Sequence, residues 1–222
     1  MRCIVTAGPT AEPLDQVRRL TNFSTGRLGS ELAGFLSAHG HEVTLLIGQQ
    51  ATWRGERQAR LIETFTTAAD LRERLRELGK LPVEAVFHAA AVSDFAFGRT
   101  WRRMPAGELG EIRAGKLSSR LGVLLAELVP TPKILAELRG WFPAARLVGW
   151  KYEVDGDRSG VVQLAEQQIL ECLTDACVAN GPAYGPGFGL VRREGQARHL
   201  ADTRALFQAL EQVMEGGGPG LS

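Results

Sequence analysis

Thr21, Asn22, Ser24, Thr25 and Arg27 crowd into the stretch "LTNFSTGRLG" (20–29), with Gly26 and Gly29 among them. An amide, several hydroxyls and a guanidinium side by side can hold an anion. Ser24 or Thr25 can cap the helix-like segment that follows, and the two glycines allow close backbone approach. Free N–H groups at a helix start, with the positive end of its dipole, suit a phosphate, and Arg27 adds charge. The same residues could equally make a plain N-cap beside a packing glycine. Asn is common in loops, so these residues alone leave the role of Asn22 open.

A second stretch, "HAAAVSDF" (88–95), ends a strand-like run. Ala90 and Ala91, with the alanine before them, would let another molecule lie against the backbone. Asp94 could accept from a ribose hydroxyl, hold a metal through water, or cap a turn. His88 reads as a core or edge histidine, not a catalytic base.

These stretches need a scaffold. "CIVTAG" (3–8) is a short apolar run ending in Gly8, the pattern of a buried strand. Leu28, Leu32, Phe35 and Leu36 share one helical face, and Gly40 stops that helix. Strands are expected at 41–48, 61–65, from 83, at 145–154 and at 175–180. Helices are expected at 68–80, 133–142, 158–174 and from 203, the last capped by Asp202. Residues 187–200 read as a hairpin turning at Glu194 and Gly195, and 217–222 as a frayed tail. Alternating strand and helix signals predict an α/β, Rossmann-like, mostly parallel sheet with helices on both faces. In such sheets ligands bind beyond the carboxyl ends of the strands. The lead-in from about Ala7 to Thr25 lies there and is far longer than the roughly 2 to 6 residues usual for such a turn. Residues 96–115, rich in Gly and Arg without a clean period, read as a loop or mobile arm.

Composition bounds the alternatives. The chain has 222 residues, 44% apolar, enough for one sizeable core. The net charge of +1 gives no broad field for nucleic acid or an acidic membrane. No apolar stretch approaches the roughly 18 residues of a membrane span, and the N-terminus lacks a signal-peptide pattern, so a cytoplasmic protein is expected. Cys3, Cys172 and Cys177 lack metal-site spacing. Of 26 basic residues only Lys80, Lys116, Lys133 and Lys151 are lysines.

In order and approximate spacing, "VTAGPTAEPLDQVRRLTNFSTGRLG", "AAAVSDF", "GKLSS", "TPKIL", "LVGWKYEV" and "DACVAN" resemble the phosphopantothenate–cysteine ligase family. The resemblance covers about residues 2 to 215. It implies a homodimeric ligase of coenzyme A synthesis, in one domain over 1–216 with a flexible flap at about 96–120. It implies substrates 4'-phosphopantothenate, L-cysteine and a nucleoside triphosphate with Mg2+, CTP in preference to ATP. Many bacterial members are fused behind a flavin-dependent decarboxylase; nothing here resembles that partner, so a stand-alone form without FMN is expected. An acyl-nucleotide forms, pyrophosphate leaves, and the cysteine amine displaces the monophosphate.

The resemblance also implies roles. Lys116 matches a catalytic lysine on the flap, Asn22 an asparagine acting on the acyl-nucleotide, and Arg18 an arginine at the phosphopantothenate end. Asp94, Pro132, Lys133, Ile134, Leu135 and Trp150 match nucleotide contacts. Gly8, Ala90 and Ala91 are expected beside the nucleotide, and Ser24, Thr25, Gly26 and Arg27 beside phosphate or substrate. Two departures stand out. Pro9 stiffens the first loop where many members have glycine. Gln168 and Cys172 stand where fused bacterial members carry lysines, and Lys151 is the expected substitute. Two other readings compete: a reductase using NAD(P), and a non-catalytic nucleotide-binding homologue. The reductase needs a G-x-G-x-x-G turn and a Tyr-x-x-x-Lys pair, and neither occurs.

Overall fold

The computed structural model describes residues 1–193 and 197–216. Strand β1 (Arg2–Ala7) sets the frame. It is buried on both sides: Cys3, Val5 and Ala7 enter one core cluster and Ile4 another. A strand can be apolar on both faces only inside a sheet covered on both faces. β2 (Ala11–Pro13) and β3 (Arg19–Thr21) follow, then helix α1 (Arg27–Ala38), β4 (Glu42–Gly48), β5 (Leu61–Phe65) and α2 (Ala68–Leu78). β6 (Ala85–His88) leads to β7 (Phe95–Arg103), β8 (Leu109–Ile112) and β9 (Leu124–Pro130). Then come α3 (Ile134–Trp141), β10 (Arg146–Tyr152), α4 (Arg158–Cys172), β11 (Ala176–Asn180), β12 (Phe188–Arg192), β13 (Ala197–Leu200) and α5 (Thr203–Glu215).

The eight-stranded sheet runs β13-β12-β11-β10-β6-β1-β4-β5. The pairs from β11 through β5 are parallel, and β12 and β13 add an antiparallel edge. Leu32 and Leu36 of α1 and Leu206 and Leu210 of α5 cover one face. Leu71 and Leu75 of α2, Ile134 and Leu138 of α3, and Ile169 of α4 cover the other. This is the expected fold class. The chain leaves β1 for β4 on one side and returns to β6 on the other. That reversal puts a crevice between β1 and β6 at their carboxyl ends.

Two segments differ from the sequence expectation. The lead-in to α1 is not wholly irregular: β2 and β3 form a short antiparallel hairpin. Within the span expected as a flexible flap at 96–120, β7 and β8 pair antiparallel, and β9 beyond it completes a sheet in the order β8-β7-β9. Its strands are mostly exposed or half-exposed, so no one-sided burial pattern marked them. The turn at Glu194–Gly195 and the tail 217–222 lie outside the described residues.

Gly29, in the first turn of α1, has a packing duty. A Cβ there would sit 2.6 Å from the Ala7 Cβ and 3.1 Å from the Thr6 carbonyl oxygen, so helix and strand would separate. Gly29→Ala should therefore lower stability by about 1–3 kcal/mol, read as a lower midpoint in urea denaturation with an unchanged slope.

Candidate functional site

The crevice opens into a cavity of about 1120 Å³. A seam continues the β1–β6 pairing past the sheet and forms its floor. Ala91 donates its N–H to the Gly8 carbonyl at 2.9 Å, and Thr10 donates to the Ala91 carbonyl at 3.2 Å. Side chains reinforce it: the Thr10 hydroxyl accepts from Ser93 N–H at 2.9 Å, and the Thr6 hydroxyl from Ala90 N–H at 3.1 Å. The alanines at 89–91 are thus a backbone ledge in the cavity wall. Pro9 pairs with Ala91 across the seam, and its lack of an N–H leaves no gap in these bonds.

Asn22 reaches this ledge. Its Nδ2 donates to the Ala91 carbonyl at 3.0 Å. That bond orients the amide and leaves its second N–H and its oxygen for other partners. The cap of α1 corrects the sequence reading. Gly26, not Ser24 or Thr25, is the N-cap, at φ 78°, in the left-handed region. A Cβ there would also meet Ile47 at 2.8 Å. The Thr25 hydroxyl still accepts from Arg27 N–H, at 3.3 Å. With no side-chain acceptor from the cap residue, the start of α1 opens on the cavity, a geometry that suits an anion.

The structure brings most of the expected residues together. Gly8, Asn22, Ser24, Thr25, Gly26, Arg27, Ala90, Ala91, Asp94, Pro132, Lys133, Ile134, Leu135, Trp150 and Lys151 all line the cavity. Arg18 and Lys116 do not. Arg18 is bound to Asp15 and to the Leu117 carbonyl, and Lys116 is exposed on the loop after β8. Of the positions where lysines were missing, Gln168 lines the cavity, its Nε2 3.1 Å from Cys177 Sγ. Cys172 instead packs in the core beneath α3. Phe23, Tyr152 and Asn180 also line the cavity. Tyr152 and Asn180 pair across β10 and β11, so strand alignment carries both there; each lies in a motif segment, but the motifs alone did not place them in the cavity. Phe23 is fully exposed.

Charge in the cavity is unequal. Among the described lining residues, Arg27, Lys133 and Lys151 are cations and Asp94 is the one carboxylate. Each cation also touches a carboxylate beyond the lining: Arg27 with Glu31 at 2.7 Å, Lys133 with Glu171 at 3.3 Å, Lys151 with Glu153 at 3.0 Å. Partly exposed pairs of this sort contribute roughly 0–1 kcal/mol, so an incoming phosphate can take the cation over.

With this geometry in view, the family is decided by one match. The family model for the DNA/pantothenate metabolism flavoprotein C-terminal domain matches residues 1–205. The chain belongs to this family. A similar relative is the coenzyme A biosynthesis bifunctional protein CoaBC of Thermococcus kodakarensis, 32% identical over 179 residues, covering 81% of this chain and 41% of the relative. The CoaBC protein of Mycolicibacterium smegmatis is 34% identical over 200 residues, covering 88% and 45% respectively. The chain thus spans less than half the length of these curated relatives. The crystal structure of the DNA/pantothenate metabolism flavoprotein from Streptococcus pneumoniae superposes with a TM-score of 0.84 at 25% identity, covering 97% of this chain and 98% of that one. No helix among the described residues is long and apolar enough to cross a membrane.

His88 supports the ledge. The Thr6 hydroxyl that accepts from Ala90 N–H also hydrogen-bonds His88 Nδ1, 3.0 Å away. Burial lowers the His88 pKa from 6.5 to about 4. The unfolded chain therefore binds the extra proton between those values. Stability should fall as pH drops from about 6.5 to about 4, by roughly 3 kcal/mol, and this part should level off below. Urea denaturation across that range, compared with His88→Gln, checks it: the variant should lose this part of the slope.

Proposed function

We propose that this chain joins L-cysteine to 4'-phosphopantothenate through an acyl-nucleotide intermediate, within coenzyme A synthesis. One observation carries the reading: a cavity at the carboxyl edge of the sheet, with the N-terminus of α1 and three cations against one carboxylate. Such a site suits a nucleoside triphosphate and a second anion. Family membership and the relatives named for coenzyme A biosynthesis support it.

The chemistry needs two anions to meet, a carboxylate and an α-phosphate. Arg27, Lys133, Lys151 and the free N–H groups of α1 lower their mutual repulsion. Trp150 and the segment Pro132–Leu135 offer apolar walls to a base. The triphosphate would bring Mg2+ with it, and Asp94 is the carboxylate at hand. The remaining N–H of Asn22 donates to the acyl oxygen when the cysteine amine attacks. CTP is the proposed nucleotide, as in bacterial members of the resembling family, with ATP the competitor. Arg18 and Lys116 lie outside the cavity of one chain, so their proposed roles require the arm to move or a second copy to approach.

The ligase unit is proposed to run over 1–216, to work in the cytoplasm, and to form a homodimer. Apolar side chains left uncovered favour the dimer: Phe95, Leu128 and Val129 on the arm sheet, and Leu20 on the hairpin, whose strand β2 touches β7. Light scattering after size exclusion should give twice the chain mass. Leu128→Arg should shift it to the monomer.

The reading is tested by incubating the protein with CTP or ATP, Mg2+, phosphopantothenate and cysteine, and weighing the products. Phosphopantothenoylcysteine and pyrophosphate are expected, faster with CTP. Nucleotide binding without product would favour a non-catalytic homologue. Asn22→Asp should cut amide formation by roughly 100-fold, the scale of a lost donor at a developing oxyanion. It should affect nucleotide affinity much less.

A further inference from the structure

The loop between β2 and β3 is built around one side chain that the cavity does not use. The Asp15 side chain is 1% exposed on a half-buried residue, and its carboxylate accepts from two different parts of the chain. Oδ1 closes the local turn, accepting from Val17 N–H and Arg18 N–H, both at 2.8 Å. Oδ2 faces the other way. It accepts from the Arg18 guanidinium at 2.6 and 3.1 Å, and from the Leu117 N–H at 3.0 Å. The Arg18 guanidinium in turn donates to the Leu117 carbonyl. One residue further out, Gln16 N–H donates to the Gly115 carbonyl at 2.9 Å. The backbone is therefore held at Gly115 and Leu117, on either side of Lys116, whose own side chain stays exposed. Leu117 is also buried, which anchors the segment further.

We propose that Asp15 is a positioning residue for Lys116, fastening the loop after β8 to the hairpin so that Lys116 and Arg18 move as one cationic unit. The proposal rests on the ligase reading for what Lys116 does, but the fastening stands on geometry alone. Lys116 is flanked by glycine on one side and sits on a loop between exposed strands. Without the bonds at 115 and 117 its ammonium would sample many positions, and a charge that must meet a phosphate in one geometry loses effect when it wanders. Carboxylate acceptors bind N–H groups more strongly than neutral ones, which suits a side chain asked to hold both a guanidinium and a distant backbone group.

Asp15→Asn separates the two halves of the side chain. The amide oxygen can keep the turn, while the amide nitrogen meets the Leu117 N–H and Arg18 donor to donor. The first arm of the test needs no substrate. Hydrogen exchange of residues 113–118 and tryptic cleavage after Lys116 should both accelerate about tenfold in the variant, with exchange in β1 and α1 unchanged. Equal rates in variant and wild type would overturn the fastening, and so would acceleration spread through the whole protein. The second arm measures acyl-nucleotide formation. Asp15→Asn should lower kcat about tenfold with little change in KM for the nucleotide. Added to Lys116→Gln at saturating phosphopantothenate, where binding through Arg18 does not limit the rate, it should cost nothing further. A full tenfold loss in that background would overturn the action through Lys116. If the wild-type protein forms no acyl-nucleotide, the ligase reading falls, and the action through Lys116 falls with it. The exchange arm then still decides the fastening.

Discussion

Continuity between β1 and β6 beyond the end of the sheet is what everything at the crevice depends on. Parallel strands at a reversal point normally diverge into their loops. Here the backbone keeps pairing from Gly8 to Ala91, and the hydroxyls of Thr6 and Thr10 lock the crossing chain at Ala90 and Ser93. Both threonines are fully buried, so these bonds form away from water, where a lost partner is costly. The result is a stiff ledge of small residues. Asn22 is tied to that ledge, and the start of α1 is held near it by the Gly29–Ala7 contact.

The arm and the hairpin obey a different logic. They add little to the core clusters on the two faces of the main sheet, and their strands carry apolar groups on open surfaces. What fixes them is polar: the carboxylate of Asp15, the guanidinium of Arg18 and backbone groups 102 positions away. A rigid pocket therefore sits beside an outlying cationic element with its own fastening.

Much of this was legible in the residue order. The two-sided burial of β1, the single apolar stripe of α1 and the Asp202 cap of α5 follow from periodicity and capping chemistry, and all three are observed. The ledge was legible as three alanines at a strand end. The arm was not, because its strands lie between two partly wet surfaces and no alternation of polar and apolar residues is enforced. The α1 cap was misread because glycine carries no side chain to announce it; only its left-handed backbone reveals the role. Tyr152 and Asn180 reach the crevice through strand alignment, and the Asp15–Leu117 bond joins distant segments. Both depend on pairing between distant segments, which no single stretch of sequence displays.

The lysines and arginine of the crevice each lean on an acidic neighbour rather than standing bare. A ligand oxygen arriving there trades places with a protein carboxylate and releases few condensed ions to the solution. Occupancy of this pocket should accordingly depend less steeply on ionic strength than the count of its positive side chains would imply. Glu31, Glu171 and Glu153, once their partners turn to the ligand, would leave the rim of the loaded protein more acidic than that of the empty one.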